Sequence, residues 1–342
     1  MNFDLVKTIS ELPGAPGFEH QIRDFIIHEV KDYVDEYEVD GIGNLIVHKK
    51  AGNRRVMTAA HLDEISLMTK FIDDNGFIRF HHLGGFDPKT LSTQRVIVHG
   101  KKDLLGVIGT KGIHAQSAEE RKKAPDLKDF FIDVGLPAGK VKDLVPIGSP
   151  ITREKDLREL GDLVTGKSLD NRISVYILVE AIKQLKDIHC DFYGVFTVQE
   201  EVGIRGARVA ANHIQPEIGI ALDTTLSNDT PGIEAQDQCT QLGNGTAIKI
   251  YDSSVISTPS LVNFLISVCE EHNIDYQREV LTAGGTDSSG IQYLTGVGAY
   301  TSCISTPTRY IHSTVETVSK SDVNAAIDLT IQALNTIHKY QP

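Results

Sequence analysis

The sequence contains no tryptophan, and aromatic residues make up only 6% of its 342 residues. A polysaccharide usually rests on exposed aromatic rings, and such surfaces are thinly supplied here. A glycosidase would also need an acid and a second carboxylate on either side of a sugar-binding cleft. The composition therefore disfavours an enzyme that acts on polysaccharides.

Cysteine and long apolar runs are also scarce. The four cysteines are scattered and form no Cys-x-x-Cys pair: Cys190, Cys239, Cys269 and Cys303. This spacing predicts buried small side chains in a reducing compartment, not a disulfide framework or a zinc knuckle. The first residues lack the basic and apolar regions of an export signal. No apolar run is long enough to span a bilayer, so we expect a cytoplasmic protein with no membrane partner.

The charge balance limits the possible partners. Acidic side chains number 46 and basic ones 34, for a net charge of −12. A nucleic-acid-binding surface needs a basic stripe to neutralise phosphates, and the sequence has none, so no nucleic-acid partner is expected. Excess acid suits a protein that gathers carboxylates around cations, although solubility is the simpler explanation of the total.

Three apolar stretches are typical of strands buried on both faces of a sheet: 55–60, 192–198 and 218–222. Each runs into side chains of the metal-ligand type: His61, then Glu200 with Glu201, then Asp223. Apolar residues at helical spacing between 173 and 185, and a short segment over 207–212, predict helices between the strands. Strand–helix–strand order predicts parallel pairing, and ligands bind beyond the carboxyl ends of such strands. We therefore expect these side chains to meet.

The segment 66–155 has a different pattern. It contains short alternating stretches and frequent glycines, which predict a β-rich insertion in the form of a small barrel. The α/β pattern then resumes, with helices expected over 260–272 and 321–338. The domain prediction is a catalytic α/β domain over 1–65 and 156–342, interrupted by a barrel over 66–155.

Two short motifs combine metal-type ligands with possible helpers. In His61-x-Asp63, the carboxylate can hold the second ring nitrogen of the histidine, although this pair taken alone favours an ordinary histidine at a strand end. Glu200 and Glu201 place like charges where the fold buries surface, which costs several kcal/mol (roughly) without a cation nearby. A solvated turn is the alternative for this pair.

Three further candidates are ambiguous one by one. Asp170 precedes the amphipathic helix and is equally an N-cap. Asp223 is equally a turn residue, and His312 is one of 13 histidines. Their order along the chain, and not any single one, carries the prediction.

Six ordered motifs resemble those of the tetrahedral dinuclear metallo-aminopeptidases, the glutamyl or deblocking type, some of which are labelled cellulases or endoglucanases. The motifs are HLDE at 61–64, LDNR at 169–172, QEEVG at 199–203, DT at 223–224, GGTD at 284–287 and RYIHS at 309–313. The likeness extends over essentially the whole chain. It implies a mixed, mostly parallel sheet with helices on both faces, of the zinc-exopeptidase type, with an inserted β-barrel for dimerisation.

The resemblance also implies the roles of the site residues. Asp170 would bridge two divalent ions, Zn²⁺ or Co²⁺, with His61 and Asp223 on one ion and Glu201 and His312 on the other. Glu200 would be the general base, and Asp63 would orient His61. Gly284, Gly285, Thr286 and Asp287 would lie close to the substrate pocket.

The function implied is an aminopeptidase that acts on peptides with a free N-terminus and assembles as a dodecamer built from dimers. Two alternatives stay open at the level of the sequence. One is a co-catalytic metal hydrolase of another substrate class, including the glycosidase label, and the other is a catalytically silent, self-assembling shell.

Overall fold

The computed structural model describes residues 1–186, 188–293 and 296–342. The strands in these residues are β1 Glu36–Val39, β2 Leu45–Lys50, β3 Arg55–His61, β4 Ser66–Ile72, β5 Ile78–Leu83, β6 Arg95–His99, β7 Asp103–Thr110, β8 Phe130–Asp133, β9 Pro150–Arg153, β10 Arg158–Leu160, β11 Leu163–Gly166, β12 Asp191–Thr197, β13 Ile218–Leu226, β14 Thr246–Tyr251, β15 Tyr276–Val280, β16 Tyr300–Arg309 and β17 Glu316–Ser319. The helices are α1 Phe3–Glu11, α2 His20–Val30, α3 Ala138–Leu144, α4 Leu169–Gln184, α5 Arg205–Ile214, α6 Pro259–His272, α7 Asp287–Gln292 and α8 Lys320–Thr336. None of these helices is long and apolar enough to cross a membrane.

The larger sheet has the strand order β1-β2-β12-β3-β13-β16-β17-β11-β10, and β14 joins it by pairing with β15 and β16. Its four central strands, β12, β3, β13 and β16, run parallel to one another, as do β14 and β15. The flanking pairs are antiparallel. The predicted mixed, mostly parallel sheet is confirmed, with parallel strands at its centre and antiparallel pairs towards its edges. The centre is where the predicted ligands lie.

Helices cover both faces of this sheet. Successive apolar side chains of its central strands point to opposite faces, so both faces need an apolar partner. Val56 and Ala60 of β3 join the larger core, together with residues of α1, α2, α4, α6 and α8. Met57 and Ala59 point the other way and pack with α5 and α7. A strand that is buried on both faces has apolar residues at successive positions, and this explains the apolar run at 55–60. The fold class predicted from the sequence is confirmed.

The insertion is a closed six-stranded barrel with the order β4-β5-β8-β7-β6-β9. Its own apolar core includes Leu67, Ile78, Val96, Ile132 and Ile151. Its strands run from Ser66 to Arg153, which confirms a barrel inside the predicted segment. The boundaries at 66 and 155 and the dimerisation role stay predictions.

Candidate metal centre

The site lies in a crevice between β3 and β13, at their carboxyl ends. The pairing of these strands ends at Ala59 with Ala221, two residues before His61 and Asp223. On the other side β3 stays paired with β12 up to His61 opposite Thr197. From β3 the chain leads to β12 on one side of β3, and from β12 it crosses to β13 on the other side. Open α/β sheets bind ligands in the crevice where the strand order reverses in this way. His61 Nε2 and Asp223 Oδ1 face each other there at 3.8 Å.

Asp170 lies between two imidazoles. Its backbone and that of Asn171 leave the helical conformation near the start of α4. The Asp170 carboxylate places Oδ1 3.5 Å from His61 Nε2 and Oδ2 3.4 Å from His312 Nε2. The alternative of a helix N-cap is therefore not what the structure shows, because this carboxylate points at the two histidines.

The potential ligands converge on two points. One group contains His61, Asp170 and Asp223, and the other contains Asp170, Glu201 and His312. Within each group the ligand atoms lie within 4.8 Å of one another. Asp170 belongs to both groups, which is the arrangement that a bridging carboxylate requires.

The largely buried side chain of Glu200 lies beside the two groups and belongs to neither. Its Oε2 lies 3.9 Å from His61 Nε2, and its side chain lines the same cavity as the ligands. The solvated turn considered for this pair is not observed, because the side chains of Glu200 and Glu201 retain only 11% and 7% of their exposure. A carboxylate that lies beside the ligands but outside both groups can accept or donate a proton.

Asp63 connects the histidine to the two glutamates. Its carboxylate accepts the backbone N–H of Glu200 at 2.9 Å and that of Glu201 at 3.0 Å. The same carboxylate lies 3.5 Å from His61 Nδ1, but the nearer acceptor for this nitrogen is the Asp63 carbonyl oxygen at 3.1 Å. Asp63 thus positions the turn at residues 200–201 as well as the ring.

The electrostatics indicate a place for cations. Burial raises the pKa of Glu200 well above its usual range, and the charges of Asp223 and Glu201 raise it further. Burial likewise raises the pKa of Asp223 well above its usual range, with Asp170 adding to the effect. Carboxylates crowded in a dry crevice can ionise together only with positive charge between them.

The histidines respond in the opposite sense. Burial lowers the pKa of His312, but the carboxylates of Asp170 and Glu201 outweigh it and raise the pKa to about 11. For His61, Asp170 and Asp63 outweigh burial and hold the pKa well above its usual range. Oε1 of Glu201 is buried with no hydrogen-bond partner among the described residues. These imidazole and carboxylate donors fit divalent ions of the zinc or cobalt type.

Sequence reasoning missed Glu316, the first residue of β17. Its Oε2 accepts the N–H of Asp170 and its Oε1 accepts the N–H of His312, both at 2.9 Å. Burial raises the pKa of Glu316 to about 8, and the charge of Arg153 acts against this shift. Arg153, at the end of barrel strand β9, also donates to the His312 carbonyl oxygen at 3.2 Å. Only the proximity of Glu316 to the RYIHS motif could have indicated its role.

A second buried cluster fixes the chain just after His61 and just before Asp170. Glu64 accepts two hydrogen bonds from Lys167 Nζ, each 2.9 Å long, and also accepts the Ser168 hydroxyl. Arg172 lies near Glu64 at 3.8 Å and donates to the Leu62 carbonyl oxygen at 2.6 Å. Glu64 and Arg172 belong to the motifs but do not line the crevice, and they stabilise the segments that form it.

The crevice opens into a cavity of about 500 Å³. Gly284, Gly285 and Thr286 line it, as expected for the substrate pocket. Asp287 does not line it: this residue is buried behind the wall, where its carboxylate accepts the hydroxyl of Thr197. Helix α7 begins at Asp287 and turns the side chain towards Thr197 of β12, so Asp287 lies next to the cavity lining and not in it.

The family model described as M42 glutamyl aminopeptidase matches residues 43–329 of the chain. The chain belongs to this family. The resemblance inferred from the six motifs is therefore confirmed. Membership of the M42 family also supports the predicted class of enzyme, an aminopeptidase, which is a hydrolase.

Known aminopeptidases and a related peptidase resemble the chain over nearly its whole length. The lysyl aminopeptidase of Pyrococcus furiosus is 34% identical over 347 residues, which cover 96% of this chain and 95% of that one. An aminopeptidase of the archaeon Desulfurococcus kamchatkensis has a solved structure with a TM-score of 0.94 and 35% identity, covering 99% and 97% of the two chains. The TET1 peptidase of Pyrococcus horikoshii, which can assemble into a tetrahedron or a large octahedral shell, has a TM-score of 0.87 and 35% identity, with 97% and 98% covered.

Proposed function

We propose that the protein is a two-metal aminopeptidase that hydrolyses the N-terminal residue from peptides. The observation that carries this proposal is the pair of ligand groups that share Asp170, with Glu200 buried beside them and outside both. The family and the names of its relatives support aminopeptidase activity.

Each ligand group would hold one divalent ion, zinc or cobalt. His61 and Asp223 would bind the first ion, Glu201 and His312 the second, and Asp170 would bind both. Two ions bound there would polarise the scissile carbonyl group and lower the pKa of the attacking water. Glu316 and Asp63 would keep the ligands in place through the backbone amides that they accept.

Glu200 is the general base in this proposal. It would take a proton from the attacking water and return it to the amine that leaves. Cations in the ligand groups would counter the burial and the neighbouring carboxylates that raise its pKa, so that Glu200 ionises near neutral pH. Asp63 supports the role because it fixes the backbone N–H of Glu200 and so the position of the carboxylate.

The geometry favours this reaction over the two alternatives. A glycosidase needs two carboxyl groups on opposite sides of a sugar, whereas here the carboxylates converge with imidazoles on common points. A silent shell would not be expected to retain every ligand and the buried base. The carboxylates also favour the cationic amino group of a peptide N-terminus in the cavity.

We also propose a dodecamer built from dimers, with the barrel as the dimerisation domain. The shell formed by the related TET1 peptidase supports this assembly. The outer face of the barrel carries large apolar side chains that are about half exposed, namely Phe71, Leu105 and Val107. Leu105 and Val107 lie two residues apart on β7 and so point to the same side, and neighbouring exposed apolar side chains of this kind support an interaction surface there.

The substitution Glu200→Gln tests the mechanism. It removes the proton acceptor but keeps size and position, so we expect turnover to fall by about 100- to 10,000-fold while the bound metal stays unchanged. Turnover is measured on a peptide with a free N-terminus and metal content by elemental analysis. The matched control is Glu159→Gln, an exposed glutamate paired with Lys320, which should leave turnover unchanged. Undiminished hydrolysis in Glu200→Gln would remove the assignment of the base.

A further inference from the structure

The cavity wall contains a lysine that the proposed mechanism does not use. Lys249, on β14, is the only lysine or arginine among the described residues that line the cavity. Its side chain is fully buried, so it forms part of the wall and not of the entrance. The neighbouring lining residues Thr224 and Thr225 follow Asp223 directly, so this part of the cavity adjoins the ligand groups.

Glu279 neutralises this lysine. Lys249 and Glu279 are directly opposite in the parallel pairing of β14 with β15, which places both side chains on one face. The ammonium group of Lys249 donates to Oε1 of Glu279, which also accepts the hydroxyl of Thr225 at 2.7 Å. Burial lowers the pKa of Lys249, but Glu279 outweighs it and raises the pKa above its usual value. The lysine is a charged but already partnered group.

A second carboxylate lies beyond the pair. Asp252 Oδ2 is 3.9 Å from Lys249 Nζ, and both side chains are fully buried. The other oxygen of Asp252 accepts the N–H and hydroxyl of Ser254 and the N–H of Val255, so a hydrogen-bonded turn holds the carboxylate there. The cluster therefore contains one cation and two carboxylates.

The remaining surface near the cluster is mainly apolar. Leu226, Leu281 and Ala283 line the cavity together with Lys249. Apolar walls with a few fixed polar groups are typical of a pocket that takes an apolar side chain.

We propose that the Lys249–Glu279 pair closes the substrate pocket to charged side chains, so that the enzyme prefers peptides beginning with an uncharged aliphatic residue such as leucine. This inference rests on the proposed aminopeptidase function. Lys249 lines the cavity, whereas Glu279 and Asp252 lie behind it. An acidic side chain would lose its water and find the lysine already paired with Glu279. A basic side chain would lose its water and be repelled by the lysine. Both leave a desolvated charge without a free partner, whereas an aliphatic side chain does not.

The test compares leucyl, glutamyl and lysyl p-nitroanilides in the metal-loaded wild type and in Glu279→Gln. In the wild type, kcat/KM for the leucyl substrate should exceed that for each charged substrate by about tenfold or more. Glu279→Gln removes the carboxylate that hydrogen-bonds to Lys249 and leaves only Asp252, 3.9 Å away, so the ratio of glutamyl to leucyl kcat/KM should rise by about tenfold. The double variant K249M/E279Q should lose that gain, because no cation remains to attract the glutamyl side chain. Glu29→Gln, which breaks a pair with Lys183 away from the cavity, is the matched control and should leave the ratio unchanged.

A wild type that prefers the glutamyl or lysyl substrate would overturn the inference alone, and so would an unchanged ratio in a folded Glu279→Gln. If Glu279→Gln does not fold, the wild-type ranking and the uncharged double variant K249M/E279Q still decide, because both must favour leucine. If the wild type cleaves none of the three substrates with either metal, the proposed function itself is overturned, and this inference with it.

Discussion

Glu316 shows how a single buried residue positions two ligands. It accepts one backbone N–H with each carboxylate oxygen, from Asp170 and from His312. His312 also has a positive φ of 65°, a conformation that non-glycine residues adopt at a cost of about 1–3 kcal/mol. The hydrogen bond that the His312 N–H donates to Glu316 and the one that the His312 carbonyl accepts from Arg153 offset that strain.

Glu316→Gln should weaken metal binding without touching a ligand. Glutamine offers one acceptor oxygen in place of two, so its amide nitrogen would face one of the two backbone N–H groups. We expect affinity for the divalent ion at the His312 group to fall about 10- to 100-fold. Titration of the metal-free protein with zinc measures the change, and Glu159→Gln serves again as the exposed control. Equal affinities would show that Glu316 does not position the ligands.

Residue chemistry determined which parts of the site the sequence revealed. The ligand-type side chains were predicted because imidazoles and carboxylates after apolar strands are unusual and followed a family order. Glu316 and Arg153 were missed because their side chains contact the backbone of ligand residues, and such contacts leave no spacing pattern in the sequence. The GGTD motif does not specify towards which side the first turn of α7 points, so the contact of Asp287 with Thr197 was not predicted.

At the scale of elements, the strand cores were predictable and their partners were not. The apolar run at 218–222 was taken to end at Asp223, but β13 continues to Leu226 because it pairs with β16 as far as Thr308. A mixed sheet was predicted, but which strands form its antiparallel edges was not, for the same reason. Pairing depends on neighbours that are distant in the chain, whereas burial on both faces is recorded locally in each strand.

Glu19, just before α2, connects that helix to the turn after β12. Its Oε1 accepts the N–H of Gly17 at 2.8 Å and that of Gln199 at 3.1 Å. Burial raises the pKa of Glu19 from 4.5 to about 7, and the charge of Asp63 adds to the shift. The folded state therefore binds this proton more tightly than the unfolded state. Its contribution to stability is present below pH 4.5 and is lost as the pH rises to about 7.

Glu19→Gln should remove this pH dependence, because the glutamine oxygen still accepts both N–H groups and the side chain no longer ionises. The free energy of unfolding of the variant, relative to the wild type, should rise between about pH 5 and about pH 8 by on the order of 1–3 kcal/mol. Urea unfolding of the metal-free protein at the two pH values measures the difference. A difference that stays constant with pH would contradict the account of Glu19.

At the scale of the whole molecule, the barrel is both an insertion and a contributor to the site. It follows β3, which carries His61, and returns through β9, which carries Arg153 to the His312 loop. The barrel was visible in the sequence from its alternating stretches. Its contact with the site was not, because a lone arginine at the end of a strand has no distinguishing pattern.

The proposed assembly gives a direct prediction of mass. A chain of 37.5 kDa in twelve copies would have a mass of about 450 kDa, which light scattering after size-exclusion chromatography can measure. Leu105→Glu on the outer barrel face should reduce this mass, because a charge would be buried where the apolar face meets its copy. A wild type that elutes as a monomer would rule out the proposed shell.

The most direct test of the two-metal aminopeptidase is hydrolysis of leucyl p-nitroanilide, free and N-acetylated, after chelation and after zinc or cobalt is added back. The account predicts that chelation abolishes cleavage, that two ions per chain restore it, and that only the free-amine substrate is cleaved. Cleavage that survives complete metal removal, or equal cleavage of the acetylated substrate, would contradict it.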